Sequence, residues 1–469
     1  MKITFRQLWS PIGTVDRGTY ALVGVIGFAI KHNLDRLLAS GVSHRRWDVF
    51  NYWVPVRDVT RITSLPKSDI QLLASLVALS LPFIWVGVVL TLKRLRSAAL
   101  PLWLVVVFFF PFVNLLFFLL LCIVPERSSA ATRSREFPIS AKAASQRSSL
   151  ERIVPESGWG SAALSLLFTV PVGLGLTLLG VQVLRTYGWG TFVALPFTMG
   201  FGAAIIYGVR KPRSLYACIT VACASVGLIG LGLLGFAVEG FFCLIMAAPL
   251  AFPLAILGGA FGYLVQRQWS HVGSPAFLSL LLIFSPTIQV AEHIAAKPAP
   301  VYVVHSHLDI NASPETVWKQ VIAFSEIPPP SDWIFRTGIA YPIRAEMIGS
   351  GPGAERHCVF STGAFVEPIQ VWDEPHQLKF SVTSNPPAMQ EWTPYRRVEP
   401  PHLSGFLVSE GGQFLLTPLP NGGTRLEGTT WYQHGLWPAA YWRVWSDAII
   451  HRIHMRVLRH IRDEAERAP

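Results

Sequence analysis

The chain has long apolar runs in its first two thirds and short, alternating apolar positions after them. A helix needs about 20 apolar residues to cross the hydrocarbon core of a bilayer. Eight runs approach this length, and none alternates at every second residue as membrane-barrel strands do. The sequence therefore predicts about eight membrane helices, at 20–38, 70–92, 100–124, 159–184, 189–209, 214–236, 240–265 and 275–291.

Two of these runs are weaker than the others, and a polar stretch divides the set. The run at 20–38 carries Lys31, His32 and Asp35 in its second half, and the run at 275–291 is short and contains Pro286. Residues 127–158 are rich in Ser, Ala and Arg with little to bury, which predicts a flexible basic linker. The expected order is a membrane domain at 1–126 with about three spans, the linker at 127–158, and a second membrane domain at 159–299 with about five spans.

From residue 300 the pattern changes to that of a soluble domain, at 300–469. A helix is expected after Ser313, with Pro314 at its first position. Period-two alternation and the Gly, Pro and Asn turns between segments predict a set of antiparallel strands. These strands are expected at 301–310, 343–348, 354–361, 365–372, 378–383, 405–409, 412–417 and 425–433.

The last 30 residues predict one long helix, at 438–467. Its large apolar residues recur every three or four positions, which places them on one face. These residues are Trp442, Trp445, Ile449, Ile453, Val457 and Ile461. Such a face must cover something apolar, and the sheet is the large partner. The fold class is therefore a multi-span helical membrane protein followed by an α+β domain, an antiparallel sheet wrapped on a long terminal helix.

Composition agrees with a membrane protein and excludes several other classes. Hydrophobic residues make up 51% of the 469 residues and charged residues only 14%, which excludes a disordered chain. The net charge of +11 comes from residues 1–299, with 25 basic and 11 acidic residues, while residues 300–469 are slightly acidic. The basic excess therefore lies in loops between spans, so the bilayer is the expected partner and nucleic acid is not. The sequence does not give the oligomeric state.

The location follows from the same loops. Counted on alternate sides of eight spans, basic residues number 7 and 15, which places both termini outside by the positive-inside rule. One miscounted span after the linker would reverse the side of the soluble domain. A bacterial inner membrane is the expected location, with the soluble domain on a side that the charge count only weakly places outside.

The motifs of residues 300–465 resemble the START-like helix-grip superfamily, also described as SRPBCC or polyketide cyclase/dehydrase-like. The segments that carry the resemblance are Ile-Asn-Ala-Ser-Pro-Glu-Thr-Val-Trp at 310–318, Gly-Pro-Gly-Ala at 351–354, Val-Trp-Asp-Glu-Pro at 371–375 and Thr-Arg-Leu-Glu-Gly-Thr-Thr at 424–430. The resemblance implies a cavity between sheet and helix that binds lipids, sterols, polyketides or aromatic rings. Only some members of the superfamily are enzymes, so fold alone does not choose a function.

Residues 1–126 resemble a bacterial integral-membrane family without an agreed activity. The resemblance rests on Arg17-Gly18-Thr19-Tyr20 and on the basic loop at 92–97, which is followed by Trp103. The family usually has Arg-Leu-His-Asp where this chain has Arg-Leu-Arg-Ser at 94–97, so a role for that His-Asp pair does not carry over.

Alternation along the strands predicts which side chains line the cavity. The candidates for its polar wall are His357, Glu367, Tyr432 and His434, and those for its roof are Trp442, Trp445, Ile449 and Ile453. A purely structural alternative is that Glu367 pairs with Arg344 or Arg356 and that the His residues are exposed or hydrogen-bonded within the fold. The candidates for the mouth are Trp333, Phe335, Met389 and Trp392, which could equally cap the domain's own core.

No cofactor and no metal site is predicted. The five Cys form no Cys-x-x-Cys pair. His451 and His454 are three apart on the terminal helix, but Arg452 and Arg456 would repel a cation there. Cys358 is expected to be a buried, inert thiol, and Glu239 falls at a predicted turn between two spans.

The leading hypothesis is that the membrane helices tether a domain whose cavity binds a hydrophobic ligand or lipid. A first alternative is an enzyme with cyclase/dehydrase-like or hydrolytic chemistry that uses His357, Glu367, Tyr432 or His434. A second alternative is a ligand-sensing or assembly protein of the membrane. Whether the chain is an enzyme, and which ligand it binds, are left open by the sequence.

Overall fold

The structure is a computed structural model of the whole chain. It describes residues 8–43, 46–52, 67–98, 100, 102–109, 113–126, 154–268, 275–295, 298–395, 398–403 and 405–467. Most of the predicted linker, residues 127–153, lies outside the described residues.

The described part of residues 1–299 is helical. The helices are α1 (Arg17–Ser43), α2 (Lys67–Ser97), α3 (Val113–Ile123), α4 (Gly158–Leu178), α5 (Leu195–Gly208), α6 (Leu215–Gly235), α7 (Phe241–Gln268) and α8 (Pro275–Ile294). A π-helical turn at Leu179–Val183 extends α4, and another at Gly190–Ala194 leads into α5. Short 3₁₀ helices lie at Val49–Tyr52 and Leu102–Phe109.

Within the described residues, five helices are long and apolar enough to cross a membrane. They are Ala74–Ser97, Gly158–Val183, Gly190–Gly208, Leu215–Gly235 and Phe241–Arg267. This is consistent with an integral membrane protein, but it does not confirm the predicted count of eight spans.

Three predicted spans are not among these five helices, and for two of them the structure shows a feature that accounts for it. Helix α1 is long, but the polar residues of its second half interact with each other: Lys31 Nζ lies 2.5 Å from Asp35 Oδ2. The run at 100–124 is divided between the 3₁₀ helix at Leu102–Phe109 and the short α3. The run at 275–291 forms α8, which is not among the five.

The second half of the chain is an α+β domain with seven antiparallel strands. Its elements are β1 (Val301–Ile310), α9 (Pro314–Ile322), a 3₁₀ turn (Trp333–Thr337), β2 (Pro342–Ile348), β3 (Glu355–Phe360), β4 (Gly363–Asp373), β5 (Gln377–Ser381), β6 (Leu407–Pro418), β7 (Thr424–His434) and α10 (Ala439–Ala465). The strand order is β1-β7-β6-β5-β4-β3-β2, so β1 and β2 are the edges. The predicted class of this half, an antiparallel sheet with a long terminal helix, agrees with the structure.

One predicted strand boundary is wrong. Segments 405–409 and 412–417 are predicted as two separate strands. They form the single strand β6, and the pairing with β7 shifts by one residue between Ser409 and Gly411. A β-bulge absorbs the extra residue there and bends the strand without ending it.

Helix α10 contacts two different regions along its length. Near its end, Val457, Leu458 and Ile461 are buried in a core shared with Trp318 of α9 and with the sheet. Near its start, Trp442 is buried in a second cluster that includes Phe242 and Met246 of α7. The terminal helix is therefore packed on its own sheet at one end and on α7, one of the five candidate spans, at the other.

Candidate cavity and the cluster at the domain junction

A cavity of about 540 Å³ lies between the sheet, α10 and the membrane helices α6 and α7. This volume falls within the range of about 300–1,000 Å³ that is typical of small-molecule sites. Most of its lining is aliphatic or aromatic, with polar groups at a few places. The tryptophans of α10 therefore leave room for a guest molecule beneath the helix.

The cavity extends beyond the α+β domain. Leu231 of α6 and Ile245 and Phe252 of α7 line it, and these side chains are 58%, 45% and 38% exposed. The helical part of the chain therefore supplies part of the apolar cavity wall.

Most of the predicted cavity residues surround this space. Glu367, Tyr432 and His434 line it from the sheet, and the predicted roof lines it from α10 with Trp442, Trp445, Ile449 and Ile453. Their role in binding a ligand remains a prediction.

His357 is placed elsewhere, so its predicted position in the cavity wall is wrong. Successive strand residues point to opposite faces, and on β3 it is Arg356, Cys358 and Phe360 that line the cavity. His357 is half-buried on the other face, where its Nε2 lies 2.5 Å from Glu355 Oε1.

Arg356 and Glu367 form a buried ion pair at the sheet side of the cavity. Their side chains are 2% and 7% exposed, and the guanidinium also lies 5.5 Å from the ring centres of Phe324, Phe380 and Phe414. Burial raises the pKa of the Glu367 carboxyl, and the neighbouring Arg356 opposes that shift. Of the two Arg partners considered for Glu367, the structure selects Arg356; Arg344 pairs with Glu346 on the surface.

Cys358 lies beside this pair and is buried, as expected. Burial, together with the Glu367 charge, raises the pKa of its thiol to about 12. The thiol is therefore protonated at neutral pH, and reactivity as a thiolate is suppressed.

Tyr432 and His434 of β7 form a second group of polar side chains in the cavity lining. The Tyr432 hydroxyl lies 2.7 Å from Ser446 Oγ and donates to Asp447 Oδ1 at 2.5 Å, which ties the strand to α10. Burial and this bond to Asp447 raise the pKa of Tyr432. Burial lowers the pKa of His434, whose ring stacks on Tyr302 at 5.0 Å. A neutral imidazole therefore faces the cavity.

His454 also lines the cavity, and the sequence analysis did not place it there. Its Nε2 lies 2.7 Å from Thr430 Oγ1 and its Nδ1 3.1 Å from Ser306 Oγ, which in turn lies 2.7 Å from His451 Nδ1. Burial, with the nearby His451 and His305, lowers the pKa of His454 to about 4. The i, i+3 histidines are thus joined through a serine of β1.

The four predicted mouth residues separate into two pairs. Phe335 and Met389 are buried in the cluster that joins the domain to α7. Trp333 and Trp392 are 59% and 62% exposed, and the Trp392 ring packs edge-on against Phe241 at 5.3 Å. All of the predicted mouth residues except Trp333 therefore pack at the junction with α7.

At the same junction, four groups with metal-binding chemistry meet. Glu239 precedes α7, Cys243 is in its first turn, and Glu391 and His402 come from the long connection between β5 and β6. One ligand atom from each lies within 4.8 Å of the others. We refer to Glu239, Cys243, Glu391 and His402 as the junction cluster.

The junction cluster is held by hydrogen bonds across the domain boundary. Cys243 Sγ donates to Glu391 Oε1 at 2.7 Å and lies 3.2 Å from His402 Nε2. The Tyr187 hydroxyl donates to Glu239 Oε1 at 3.1 Å, and its ring meets His402 edge-on at 5.1 Å. Burial and the Glu239 charge raise the pKa of Tyr187.

Sequence spacing could not have revealed this cluster. Its members come from both domains and are separated by up to 163 positions, so no local motif connects them. The available signal was weak: an isolated Glu at the end of an apolar span, followed four residues later by a Cys.

Comparisons with known proteins add little to this picture. No protein-family model matches the chain, and no curated protein matches it. The resemblance of residues 1–126 to a membrane family therefore remains a prediction.

Solved structures similar to the α+β domain include a norcoclaurine synthase from Thalictrum flavum, with 12% identity over 36% of this chain and 97% of that one and a TM-score of 0.24. A Streptomyces aromatase/cyclase has 14% identity, with 36% and 95% coverage and a TM-score of 0.24. A protein from Nitrosospira multiformis has 15% identity, with 35% and 95% coverage and a TM-score of 0.22. At these identities and TM-scores the likeness carries no argument about the function of this chain.

Proposed function

We propose that the protein binds a hydrophobic ligand or membrane lipid in the cavity of its α+β domain, and that its helices hold this domain against a bilayer. The observation that carries the proposal is the single cavity lined by both parts of the chain. It reaches the exposed apolar side chains Leu231 and Ile245 at one end and the cavity face of the sheet at the other.

The chemistry of the lining supports an amphipathic guest. An apolar space with a few placed polar groups binds a hydrophobic body and orients a polar end. His434 and His454 are held neutral by burial, so they present hydrogen-bonding groups without a net charge. A neutral or weakly polar headgroup fits this environment better than a strongly charged one.

Attachment to a bilayer would favour binding because the ligand is concentrated there. A tethered cavity meets a membrane-dissolved ligand at a high effective concentration without any new contact. The bacterial inner membrane is the proposed location, and the bilayer is the proposed partner. The proposed side of the α+β domain is the outside, and this part of the proposal rests only on the charge of the loops.

The catalytic alternative is less well supported, because three of its four predicted groups are engaged or displaced. His357 lies outside the cavity, Glu367 is paired with Arg356, and Tyr432 is bonded to Asp447. The fourth, His434, faces the cavity as a neutral imidazole.

A substitution that fills the cavity tests the proposal. Ile449→Trp adds an indole at a cavity-lining position of α10, so we expect uptake of a fluorescent monoacylglycerol probe, which carries no charge, by the purified full-length protein to fall at least about tenfold. The control is Val444→Trp on the same helix, at a side chain that is 69% exposed. Equal uptake by wild type and Ile449→Trp, with both proteins folded, would contradict the proposed site.

A further inference from the structure

The junction cluster combines a thiol, an imidazole and two carboxylates at one buried place. Cys243 Sγ, His402 Nε2 and Glu391 Oε1 form a triangle with edges of 2.7, 3.2 and 3.6 Å. Bonds of about 2.0–2.3 Å from a tetrahedral zinc ion would set its ligand atoms roughly 3.3–3.8 Å apart. The edge from His402 to Glu391 falls in this range and the edge from Cys243 to His402 is just below it. The edge from Cys243 to Glu391 is now a hydrogen bond and would lengthen by about 0.6 Å when the ion replaces the thiol proton.

Burial supplies a second, independent observation. The Glu391 side chain is 0% exposed and that of Glu239 9%. Glu239 Oε2 and Glu391 Oε2 make no hydrogen bond to any described residue. Among the described residues, His402 is the one basic group within ion-pair distance of either carboxylate. Two buried carboxylates with so little compensation are costly unless a cation is coordinated there.

From this geometry and burial we propose that the junction cluster binds a divalent transition metal ion of the zinc class through Cys243 Sγ, Glu391 and His402 Nε2. A mixed sulfur, nitrogen and oxygen donor set suits zinc, whereas magnesium and calcium prefer oxygen alone. The thiol would lose its proton on binding, as metal-coordinating thiols do.

Glu239 is placed to orient the histidine from its other side. Its Oε2 lies 3.5 Å from His402 Nδ1, opposite the Nε2 that faces the metal position. The Tyr187 hydroxyl fixes the other oxygen of the same carboxylate. A carboxylate that accepts from the second ring nitrogen holds a ligating histidine in the required tautomer and orientation.

Metal binding here would join the two parts of the chain. Cys243 belongs to α7, while Glu391 and His402 belong to the α+β domain. Cys243 and His402 also line the cavity. The ion would therefore fix the domain on the membrane helices at the wall of the cavity.

Metal content tests the proposal directly. The untagged full-length protein, purified in detergent and dialysed against zinc, should retain about one zinc ion per chain by elemental mass spectrometry. Cys243→Ser and His402→Ala should each lose it, while Cys223→Ser, which removes a thiol from α6, should keep it. Glu239→Gln should weaken zinc binding by about 10–100-fold, less than the loss of a ligand.

A second measurement uses only the wild-type protein, so its result is not affected if a variant fails to fold. Cobalt added in place of zinc should produce the charge-transfer absorption of a cobalt–thiolate bond, and a chelator should expose Cys243 to alkylation. The proposal is overturned if the wild type binds no zinc in a competition titration with a chelator. It is equally overturned if Cys243→Ser and His402→Ala retain the full metal content.

Discussion

At the scale of single residues, the most specific claim concerns the ion pair of Arg356 and Glu367, which is buried beside the apolar cavity. Arg356 and Glu367 face each other across β3 and β4, where Arg356 pairs with Glu367 in register. A buried ion pair contributes little over a well-packed apolar pair, but removing one partner leaves the other charge uncompensated. The two partners are not equivalent, because a carboxylate can take up a proton and a guanidinium cannot.

Glu367→Gln should therefore destabilise the α+β domain by about 3–5 kcal/mol, since Arg356 keeps its charge at every accessible pH. The measurement is chemical unfolding followed by tryptophan fluorescence. Arg344→Met, which breaks an exposed pair with Glu346, is the matched control and should cost less than about 1 kcal/mol. A loss in Glu367→Gln no larger than in Arg344→Met would show that the buried pair is not formed.

Arg356→Met should behave differently, with a cost that depends on pH. Burial already raises the pKa of Glu367, and removing Arg356 removes what opposes that rise. In the folded variant Glu367 then binds a proton over a pH range in which the unfolded chain does not, so stability falls as pH rises above its ordinary pKa of about 4.3. Unfolding measured between about pH 4 and 7 should show a steeper slope in Arg356→Met than in Arg344→Met, in which Arg356 still opposes the rise. The same slope in Arg356→Met and Arg344→Met would show that Arg356 does not affect the pKa of Glu367.

The residue scale is also where sequence reasoning reached its limit. Alternation along β3 separates His357 from Arg356, Cys358 and Phe360, but it does not tell which of the two faces the cavity occupies. His357 was therefore placed in the wall, and Arg356 only as a partner for Glu367. His402 and Glu391 lie in an irregular connection without periodicity, so their approach to Cys243 depends on docking of the two domains.

At the scale of elements, the sequence predicted most of the α+β domain. The predicted strand at 301–310 coincides with β1, and the spacing of apolar residues placed α10 within two residues of its observed ends. Strong periodicity made these predictions reliable. The segments predicted as two strands at 405–409 and 412–417 form the single strand β6, because the bulge at Gly411 interrupts the regular pairing without ending the strand.

The bulge itself can be tested at Gly411. A Cβ at this position would lie 2.7 Å from the carbonyl oxygen of Phe380, too close for any side chain without a backbone shift. Gly411→Ala should therefore destabilise the domain by about 1–3 kcal/mol.

The matched control is Gly428→Ala on the neighbouring strand β7. Its Cβ would meet its nearest neighbour, Leu458, at an ordinary 3.7 Å. We expect a change within about 0.5 kcal/mol in the same unfolding assay. If both alanine variants unfold like the wild type, the close approach of β5 and β6 at the bulge is refuted.

At the scale of the whole molecule, the two parts of the chain share the cavity. Their contact includes bonds that neither part could make alone: Trp437 N donates to Tyr187 O at 2.8 Å and Phe241 N to Trp392 O at 2.9 Å. Sequence analysis predicted both parts but treated the helices as a tether, because periodicity within one segment says nothing about which surfaces dock. The predicted count of eight spans is not confirmed: among the described residues five helices are long and apolar enough, and the run at 100–124 is divided between a 3₁₀ helix and α3.

A bulky side chain at Gly230 of α6 tests whether a ligand enters the cavity past this helix. This glycine lines the cavity, and a Cβ there would meet no atom within 4 Å, so a larger side chain is accommodated without a clash. We expect Gly230→Phe to slow uptake of a lipid probe from vesicles by about tenfold or more. Gly175→Phe, at an equally open glycine of α4 outside the cavity, should leave uptake unchanged. Equal rates in the two variants would argue against a route past α6.

The central claim, that a membrane-derived molecule occupies the space beneath α10, is tested most directly by photo-crosslinking in native membranes. A benzophenone side chain is placed at Ile453, inside the cavity, and in a separate protein at Arg459, on the exposed side of the same helix. Illumination should attach a lipid or other hydrophobic molecule at position 453, visible as a mass increase of the intact protein, and none at 459. Adducts of equal yield at both positions, or none at 453, would contradict the account.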